Sequence, residues 1–147
     1  MMDLRPQTVL ISFGTFFKSY LMPPEYKRTI RETARQFPNV TFIWKYEKPE
    51  DDVAGDVENL IAVTWAPQND MLYDPRLSLF ITHGGQGSTT EVTTAGVPVV
   101  VIPVAADQFR NGQVLVRNGM GISLPKDAAL SEVGNLGDAI RTVLGDK

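Results

Sequence analysis

A glycine-rich turn between an apolar run and a polar one has the residue types needed to bind a phosphate. The segment reads T-H-G-G-Q-G-S-T-T-E at 82–91, with the turn at 84–87. Glycines let a backbone approach an anion without a β-carbon in the way, and the N–H groups of a helix that opens at Ser88 present partial positive charge. A diphosphate suits this arrangement, although glycines between a strand and a helix often only turn the chain.

Two ionisable side chains flank the turn. His83 precedes the glycines, where an imidazole can donate a hydrogen bond to a phosphate or carry charge, but a lone histidine is more often structural. Glu91 lies one helical turn beyond Ser88, where a carboxylate can accept hydrogen bonds from ribose hydroxyls. The alternative for Glu91 is a first-turn carboxylate that interacts with the helix dipole.

Polar and aromatic groups also follow two other apolar runs. Trp65 leaves one run into A-P-Q, where its indole could stack on a nucleobase and Gln68 offers a donor and an acceptor. The alternative is a core tryptophan, the role that we assign to Trp44 inside the run T-F-I-W-K. Asp107 and Gln108 begin a later polar segment, either as a pair reaching sugar hydroxyls or with Asp107 as a helix N-cap.

The composition limits what these residues can belong to. The chain has 147 residues, 43% hydrophobic and 21% charged, which predicts one domain with a proper core over residues 1–147. The net charge of −3 argues against a nucleic-acid partner. No cysteine and one histidine leave no cluster for a metal site, and no apolar stretch reaches the roughly 20 residues of a membrane helix. The polypeptide is expected to be soluble as given.

Apolar runs of strand length alternate with segments of helical period, which predicts an α/β fold with a parallel sheet covered by helices. The predicted strands are 8–13, 41–45, 60–64, 79–82 and 99–102. The predicted helices are 23–36, 88–95, 107–118 and 130–144, the last with Ser131 as its N-cap. Residues 88–95 are rich in β-branched side chains and would be a strand on propensity alone, but their place after a strand and a turn predicts a helix.

The order of these motifs resembles one family. The stretch from Trp65 to Gln108 is similar to the signature of the UDP-glycosyltransferases of the UDP-glucuronosyltransferase superfamily, and W-A-P-Q-N-D-M-L is especially like the animal members. The phrase V-L-I-S-F-G-T at 9–15 resembles the strand and turn that open the family's C-terminal half. The resemblance implies a GT-B enzyme, with two Rossmann-like domains across a cleft, of which this chain is the C-terminal half that binds the UDP-sugar donor.

The resemblance also implies roles for individual residues. Trp65 would stack on uracil, and Gln68 and Glu91 would bind ribose. Asp107 and Gln108 would take the hydroxyls of the sugar. The family needs neither a metal ion nor another cofactor, because the UDP-sugar is a co-substrate.

At the diphosphate, the resemblance implies that His83 acts together with the backbone from Gly85 to Ser88. Thr15 would approach the phosphates from the first strand. Where many members of the family have Asn or His in the turn, this chain has Gly87, so a side-chain contact near the phosphate or sugar is either missing or replaced by Gln86. Donor affinity and donor choice depend on this difference.

The reaction implied is an inverting transfer of a hexosyl or glucuronosyl group to a small lipophilic acceptor, with UDP displaced. In the family the base is a histidine supported by an aspartate in the N-terminal acceptor domain, so we expect no catalytic residue in this chain. The isolated chain is expected to bind donor without turnover. The full-length protein is expected at the endoplasmic reticulum membrane on the lumenal face, through a membrane helix that this excised domain lacks.

Two alternatives stay open. The chain could be a natural stand-alone subunit that completes an active site with a separate membrane-bound partner, which an apolar exposed face along the cleft would favour. It could also be the dinucleotide-binding domain of an oxidoreductase, but its first strand leads to G-T-F-F-K-S rather than G-x-G-x-x-G. Whether the sugar is glucuronic acid, glucose or another hexose is open at this point.

Overall fold

The computed structural model describes residues 2–13, 18–104, 106–131 and 133–145, and in this part of the chain six parallel strands form one sheet. The strands are β1 Gln7–Ser12, β2 Val40–Lys45, β3 Leu60–Val63, β4 Leu77–Thr82, β5 Val99–Val101 and β6 Gly121–Ser123. Their order across the sheet is β3-β2-β1-β4-β5-β6. The strands after β1 are therefore added first on one side of it and then, from β4, on the other side. In open α/β sheets, ligands bind in the crevice at the point where the strand order reverses, which here lies between β1 and β4.

Six helices connect and cover these strands. They are α1 Pro24–Arg35, α2 Gln68–Leu72, α3 Gln86–Ala95, α4 Ala106–Arg117, α5 Lys126–Ser131 and α6 Val133–Gly145. Two short 3-10 helices, Ser19–Leu21 and Pro49–Asp51, lie in the loops. No helix in the described ranges combines the length and the apolar character that crossing a bilayer requires.

Alternate residues of each central strand bury against opposite layers of helices. On β1, Val9 and Ile11 join a cluster that includes Ile30 of α1 and residues of α5 and α6. Leu10 faces the other way and joins a cluster that includes Val92 of α3 and residues of α2 and α4. Because both faces are covered, the strands are apolar throughout instead of alternating with polar residues. The predicted Rossmann-like, three-layer parallel sheet is confirmed.

The helix α1 shows how the sequence specifies these elements. It begins with Pro24, whose fixed φ suits a first helical turn, and Glu25 follows where a carboxylate favours the helix dipole. Ile30 and Ala34 are buried, and Tyr26 packs beside them at the predicted four-residue spacing. Trp44 is fully buried in β2, as predicted.

The helix predicted at 88–95 is also confirmed, although it begins two residues earlier, at Gln86. Three of its threonines donate hydroxyl hydrogen bonds to carbonyl oxygens four residues back, as Thr93 does to Thr89 at 2.8 Å. Val92 is fully buried, so packing holds this segment helical against its propensity. It ends at Gly96, which takes the left-handed conformation with φ of +76°.

Other predicted bounds need correction. The helical residues near the helix expected at 130–144 begin at Lys126, and Ser131 lies within the helical segment α5, so it is not an N-cap. Asp107 lies in the first turn of α4, which begins at Ala106, and is therefore not the N-cap either. The strand β6 and the helix α2 were not predicted, because runs of three and five residues carry too little periodicity.

Candidate functional site

Most of the residues singled out in the sequence lie at the carboxyl edge of the sheet. Trp65 follows β3, His83 follows β4, and Asp107 lies in the first turn of the helix after β5. Thr15, predicted to approach the phosphates from β1, falls outside the described residues. Because the carboxyl ends of parallel strands meet at the same edge of a sheet, the indole of Trp65, the imidazole of His83 and the carboxylate of Asp107 all lie at that edge.

A hydrogen-bonded cluster joins α2 to α3. The amide Nε2 of Gln68 donates to the hydroxyl of Ser88 at 3.2 Å and to Oε1 of Glu91 at 3.4 Å. Gln68 is the first residue of α2, whereas Ser88 and Glu91 lie one turn apart on α3. The structure therefore brings Gln68 to two residues that lie 20 and 23 positions later in the chain.

Trp65 lies three residues before this cluster and is 71% exposed. Burying a large apolar side chain stabilises a fold by about 2 kcal/mol relative to leaving it exposed, and the exposed indole of Trp65 does not contribute this stabilisation. Its flat face is accessible for stacking. The alternative that Trp65 is a core residue is wrong.

The turn after β4 requires glycine at its first position. Gly84 has φ of +84°, and a β-carbon there would lie 3.0 Å from Cγ1 of Val101 and 3.2 Å from the carbonyl oxygen of Gln108. Its own carbonyl accepts hydrogen bonds from Nδ2 of Asn111 at 2.8 Å and from the Thr89 hydroxyl at 3.3 Å. The turn is thus fixed from α3 and α4 together.

Gly85 is the N-cap of α3 and lies under the ring of His83. A β-carbon on Gly85 would stand 2.6 Å from Nε2 of His83, too close for any side chain with the ring in this place. Because Gly85 has no side chain, it cannot itself cap the first N–H groups of α3. Those of Gln86, Gly87 and Ser88 precede the first possible intrahelical bond and are directed towards the turn.

Burial controls the charge of His83. The residue is only 8% exposed, and this burial lowers its pKa below the usual 6.5, while the nearby Asp107 carboxylate acts in the opposite direction. The imidazole is therefore neutral at pH 7 and keeps one N–H to donate. Asp107 itself is exposed.

Gln86 and Gly87 stand at the open side of the turn, and both are exposed. A β-carbon at Gly87 would meet nothing within 4 Å. The position where many relatives were expected to have Asn or His therefore has room for such a side chain. Gly87 leaves this part of the site open.

Gln108 has a partner within the chain. Its side chain is 5% exposed, and its Oε1 accepts a hydrogen bond from the backbone N–H of Val104 at 2.8 Å. This bond fixes the loop that precedes α4. Of the pair predicted to reach sugar hydroxyls, Asp107 is open to solvent and Gln108 supports the loop from within.

Comparison with known proteins identifies the family. The family model described as UDP-glucoronosyl and UDP-glucosyl transferase matches residues 7–147. The chain belongs to this family. A putative UDP-glucuronosyltransferase of Caenorhabditis elegans, ugt-55, is 39% identical to this chain over 125 residues, which cover 84% of the chain and 24% of the relative. The chain thus spans about a quarter of the length of such curated relatives.

Solved structures agree with the fold of this chain. The glycotransferase of kitacinnamycin superposes with a TM-score of 0.80 at 27% identity, over 97% of this chain and 36% of that one. A UDP-glucose:anthocyanidin 3-O-glucosyltransferase, solved in complex with UDP, gives a TM-score of 0.81 over 97% of this chain and 33% of its own. At 18% identity the second likeness shows the fold alone. The GT-B relationship is confirmed.

Two residues of the candidate site were missed in the sequence. Asn111 lies four positions after Asp107 on α4, so both side chains face the same way, and that spacing was the available signal. Thr89 gave no signal apart from its neighbours. Among the described residues no group of three or more His, Cys, Asp and Glu side chains could hold a metal ion, and independence from metal stays a prediction.

Proposed function

We propose that this chain forms the UDP-sugar donor-binding part of an inverting, glucuronosyltransferase-like enzyme that transfers a hexosyl or glucuronosyl group to a small lipophilic acceptor. The observation that carries the proposal is the cluster of Gln68, Ser88 and Glu91 beside the exposed indole of Trp65. A flat apolar face next to convergent donors and acceptors suits a nucleoside. Uracil would stack on Trp65, and the ribose hydroxyls would bond to Gln68 and Glu91.

The diphosphate would occupy the turn between β4 and α3. The N–H groups of Gln86, Gly87 and Ser88 offer positive ends of peptide dipoles, and neutral His83 offers one more hydrogen bond. These groups stay in place while negative charge builds on the departing UDP, which is how a fixed site stabilises a leaving group. Thr15 is proposed to contribute from the loop after β1.

The sugar would lie near the first turn of α4. Asp107 is exposed there and can accept hydrogen bonds from sugar hydroxyls. Gln108 would contribute through its amide N–H groups while its Oε1 holds Val104. The open space at Gly87 favours a donor with a substituent on that side, and it leaves the choice between hexoses and glucuronic acid to experiment.

The base that deprotonates the acceptor is proposed to come from an N-terminal acceptor domain. His83 is the only histidine of the chain, and it is buried against the turn where the leaving group would lie. It is therefore placed for the diphosphate and not for an acceptor hydroxyl. On this proposal the chain alone binds the donor, needs no metal, and makes no glycoside, while the whole protein works on the lumenal face of the endoplasmic reticulum membrane.

Titration of the purified chain with UDP tests the proposal, followed by amide NMR shifts at residues 83–91. UDP is expected to saturate the site, ADP to bind more weakly, and Trp65→Ala to lose about tenfold in affinity, since stacking contributes about 1–3 kcal/mol per base. Tyr73→Ala is the matched control, because Tyr73 is also an exposed aromatic, at 54%, but lies beyond the far end of α2. Equal losses in both variants, or a glycoside product from this chain alone, would contradict the proposal.

The stand-alone subunit remains the second candidate, and the exposed apolar residues near the carboxyl edge favour a covering partner. Leu21 is 70% exposed, Phe109 is 49% exposed and Val104 is 36% exposed. Such residues suit contact with another folded unit, in the same chain or in a second one. An immunoblot of the native protein separates the two cases. A band much larger than the 16.2 kDa of this chain supports one polypeptide with its own acceptor domain.

A further inference from the structure

A cavity of about 250 Å³ opens on the face of the sheet that carries α1 and α5. Its lining includes Phe13, Ile102 and Leu130 from the core, together with Met22 and Tyr26. The Gln68, Ser88 and Glu91 contacts proposed for the donor lie on α2 and α3, which pack on the opposite face. The cavity is therefore separate from these contacts, and Phe13 and Val104 place its rim at the carboxyl edge of the sheet.

Two lysines, Lys18 and Lys126, also line the cavity. Neither forms an ion pair within the ranges that the structure describes. The nearby acid, Asp127, accepts a hydrogen bond from the hydroxyl of Tyr26. Among the described residues around the cavity, two ammonium groups stand against the one carboxylate of Asp127, and this net positive charge is complementary to an anion.

Ser19, the residue after Lys18, is held in place by two hydrogen bonds. The backbone N–H of Ser19 donates to Oε1 of Glu47 at 2.7 Å. The Ser19 hydroxyl accepts a hydrogen bond from Nε1 of the buried Trp44 at 3.2 Å. A ligand would not have to order this segment when it binds, which lowers the cost of binding.

The cavity volume limits the ligand. A water molecule's share of liquid volume is about 30 Å³, so a cavity of about 250 Å³ is several times larger than one water molecule needs. A short alkyl chain or a single substituted ring therefore fits.

We infer that this cavity binds a small lipophilic carboxylate. Its apolar part lies among Phe13, Ile102 and Leu130, and its carboxylate pairs with Lys18 and Lys126. The apolar contact supplies most of the affinity, and the two lysines select the negative charge. The inference goes beyond the proposed function and does not depend on it.

The test titrates the chain with octanoate, octylammonium and octanol, followed by the amide signals of Phe13, Ile102 and Leu130. Octanoate is expected to saturate and to bind about tenfold more tightly than octylammonium. The double variant Lys18→Met with Lys126→Met should lose about tenfold for octanoate and keep its affinity for octanol. Arg28→Met, which removes an exposed cation of α1 outside the cavity, is the matched control and should bind like the wild type.

Two further measurements keep the outcome decisive. Met22→Trp fills the cavity from a partly buried loop position and should abolish octanoate binding in a folded chain. Saturating UDP should leave octanoate affinity unchanged, and the lysine double variant should keep its affinity for UDP. If the chain binds octanoate but not UDP, the result would support the inferred carboxylate site and refute only the proposed function. Equal binding of octanoate and octylammonium, or displacement of octanoate by UDP, would overturn the inference.

Discussion

The ring of His83 occupies the space that a β-carbon on Gly85 would need, with Nε2 only 2.6 Å from that position. Two residues further on, the same space at Gly87 is empty. The two glycines at the start of α3 therefore have different reasons for lacking a side chain. At Gly85 the reason is the histidine, and at Gly87 no neighbour imposes it.

Gly85→Ala is expected to displace the His83 ring while leaving the fold intact, because a ring can rotate where a backbone cannot. If His83 holds the diphosphate, affinity for UDP should fall about tenfold, about 1.4 kcal/mol, and affinity for uridine should not change. Calorimetric titration with both ligands measures the difference. Gly87→Ala is the control and should keep UDP affinity while stabilising the chain by about 0.5–1 kcal/mol, since glycine weakens a helix. If Gly85→Ala binds UDP with wild-type affinity, His83 does not bind the diphosphate.

The ionisation of His83 can be followed directly, because it is the only histidine and its ring protons give unambiguous NMR signals. Its pKa should lie below 6.5, because burial disfavours the charged form. Asp107→Asn should lower the pKa further, by removing the charge that opposes this effect, whereas Asp70→Asn at an exposed position of α2 should not. Bound UDP should raise it. If the pKa of His83 is the same in Asp107→Asn as in the wild type, the Asp107 carboxylate does not act on the ring.

The same shift affects stability in a definite direction. Below pH 6.5 the unfolded chain binds a proton at His83 that the folded chain takes up less readily, so this contribution to stability is present above pH 6.5 and is lost as the pH falls through the folded pKa. Relative to His83→Gln, the wild type should lose about 1.4 kcal/mol for each unit by which the pKa is lowered. Urea unfolding of both proteins at about pH 8 and about pH 5 gives the difference. A constant difference would contradict the prediction.

The bonds from Gln68 to Ser88 and Glu91 predict coupling in nucleotide binding. Gln68→Ala and Glu91→Ala should each weaken UDP binding about tenfold, about 1.4 kcal/mol, and the double variant should lose less than the sum of the two by about 0.5–1.4 kcal/mol. Thr94→Ala is the control, because its hydroxyl bonds only to the Thr90 carbonyl on the exposed side of α3. If the carboxylate binds ribose, Glu91→Ala should also reduce the preference for UDP over its 2′-deoxy analogue. Strict additivity would mean that the two side chains act on separate groups.

Asn59 predicts a stability effect far from the site. Its buried Nδ2 donates to the carbonyl oxygens of Ala34, Phe37 and Val40 at 2.7, 2.8 and 2.9 Å, joining the end of α1 to β2. Asn59→Ala leaves those oxygens with fewer donors and should cost about 1–3 kcal/mol, with a larger loss for Asn59→Asp, which adds a buried negative charge. Urea unfolding measures it, with Asn69→Ala at an exposed position as control. An unchanged midpoint for Asn59→Ala would refute this role.

The layered sheet could be predicted because apolar runs and their intervals report burial directly. The helix from Gln86 could be predicted only from its surroundings, since its threonines favour a strand and Val92 stabilises it through packing. The short strand β6 could not be predicted, because its three residues include Gly121 and lie between α4 and α5. Propensity fails here because the neighbouring strand, not the local sequence, determines the conformation.

The position of the site along the chain could be predicted from the sequence, whereas the contacts within it could not. Trp65, His83 and Asp107 could be placed at one edge because each follows or nearly follows a strand. The partner of Gln108 could not be predicted, because the bond from Val104 depends on how the loop folds back on α4. The contact of Asn111 with Gly84 likewise spans 27 residues and depends on the packing of α4 against the turn.

The carboxyl edge gathers Trp65, His83 and Asp107 from three loops that are neighbours only when the sheet is complete. No stretch of the unfolded chain could hold a nucleotide through all of them, so a nucleotide that fits this edge recognises the folded state alone. At a hundred times its Kd, such a ligand would add about 2.7 kcal/mol to the free energy of unfolding. On the proposed function, the supply of sugar nucleotide would thus set how often the domain opens to proteases, so the cosubstrate would also protect the protein that consumes it.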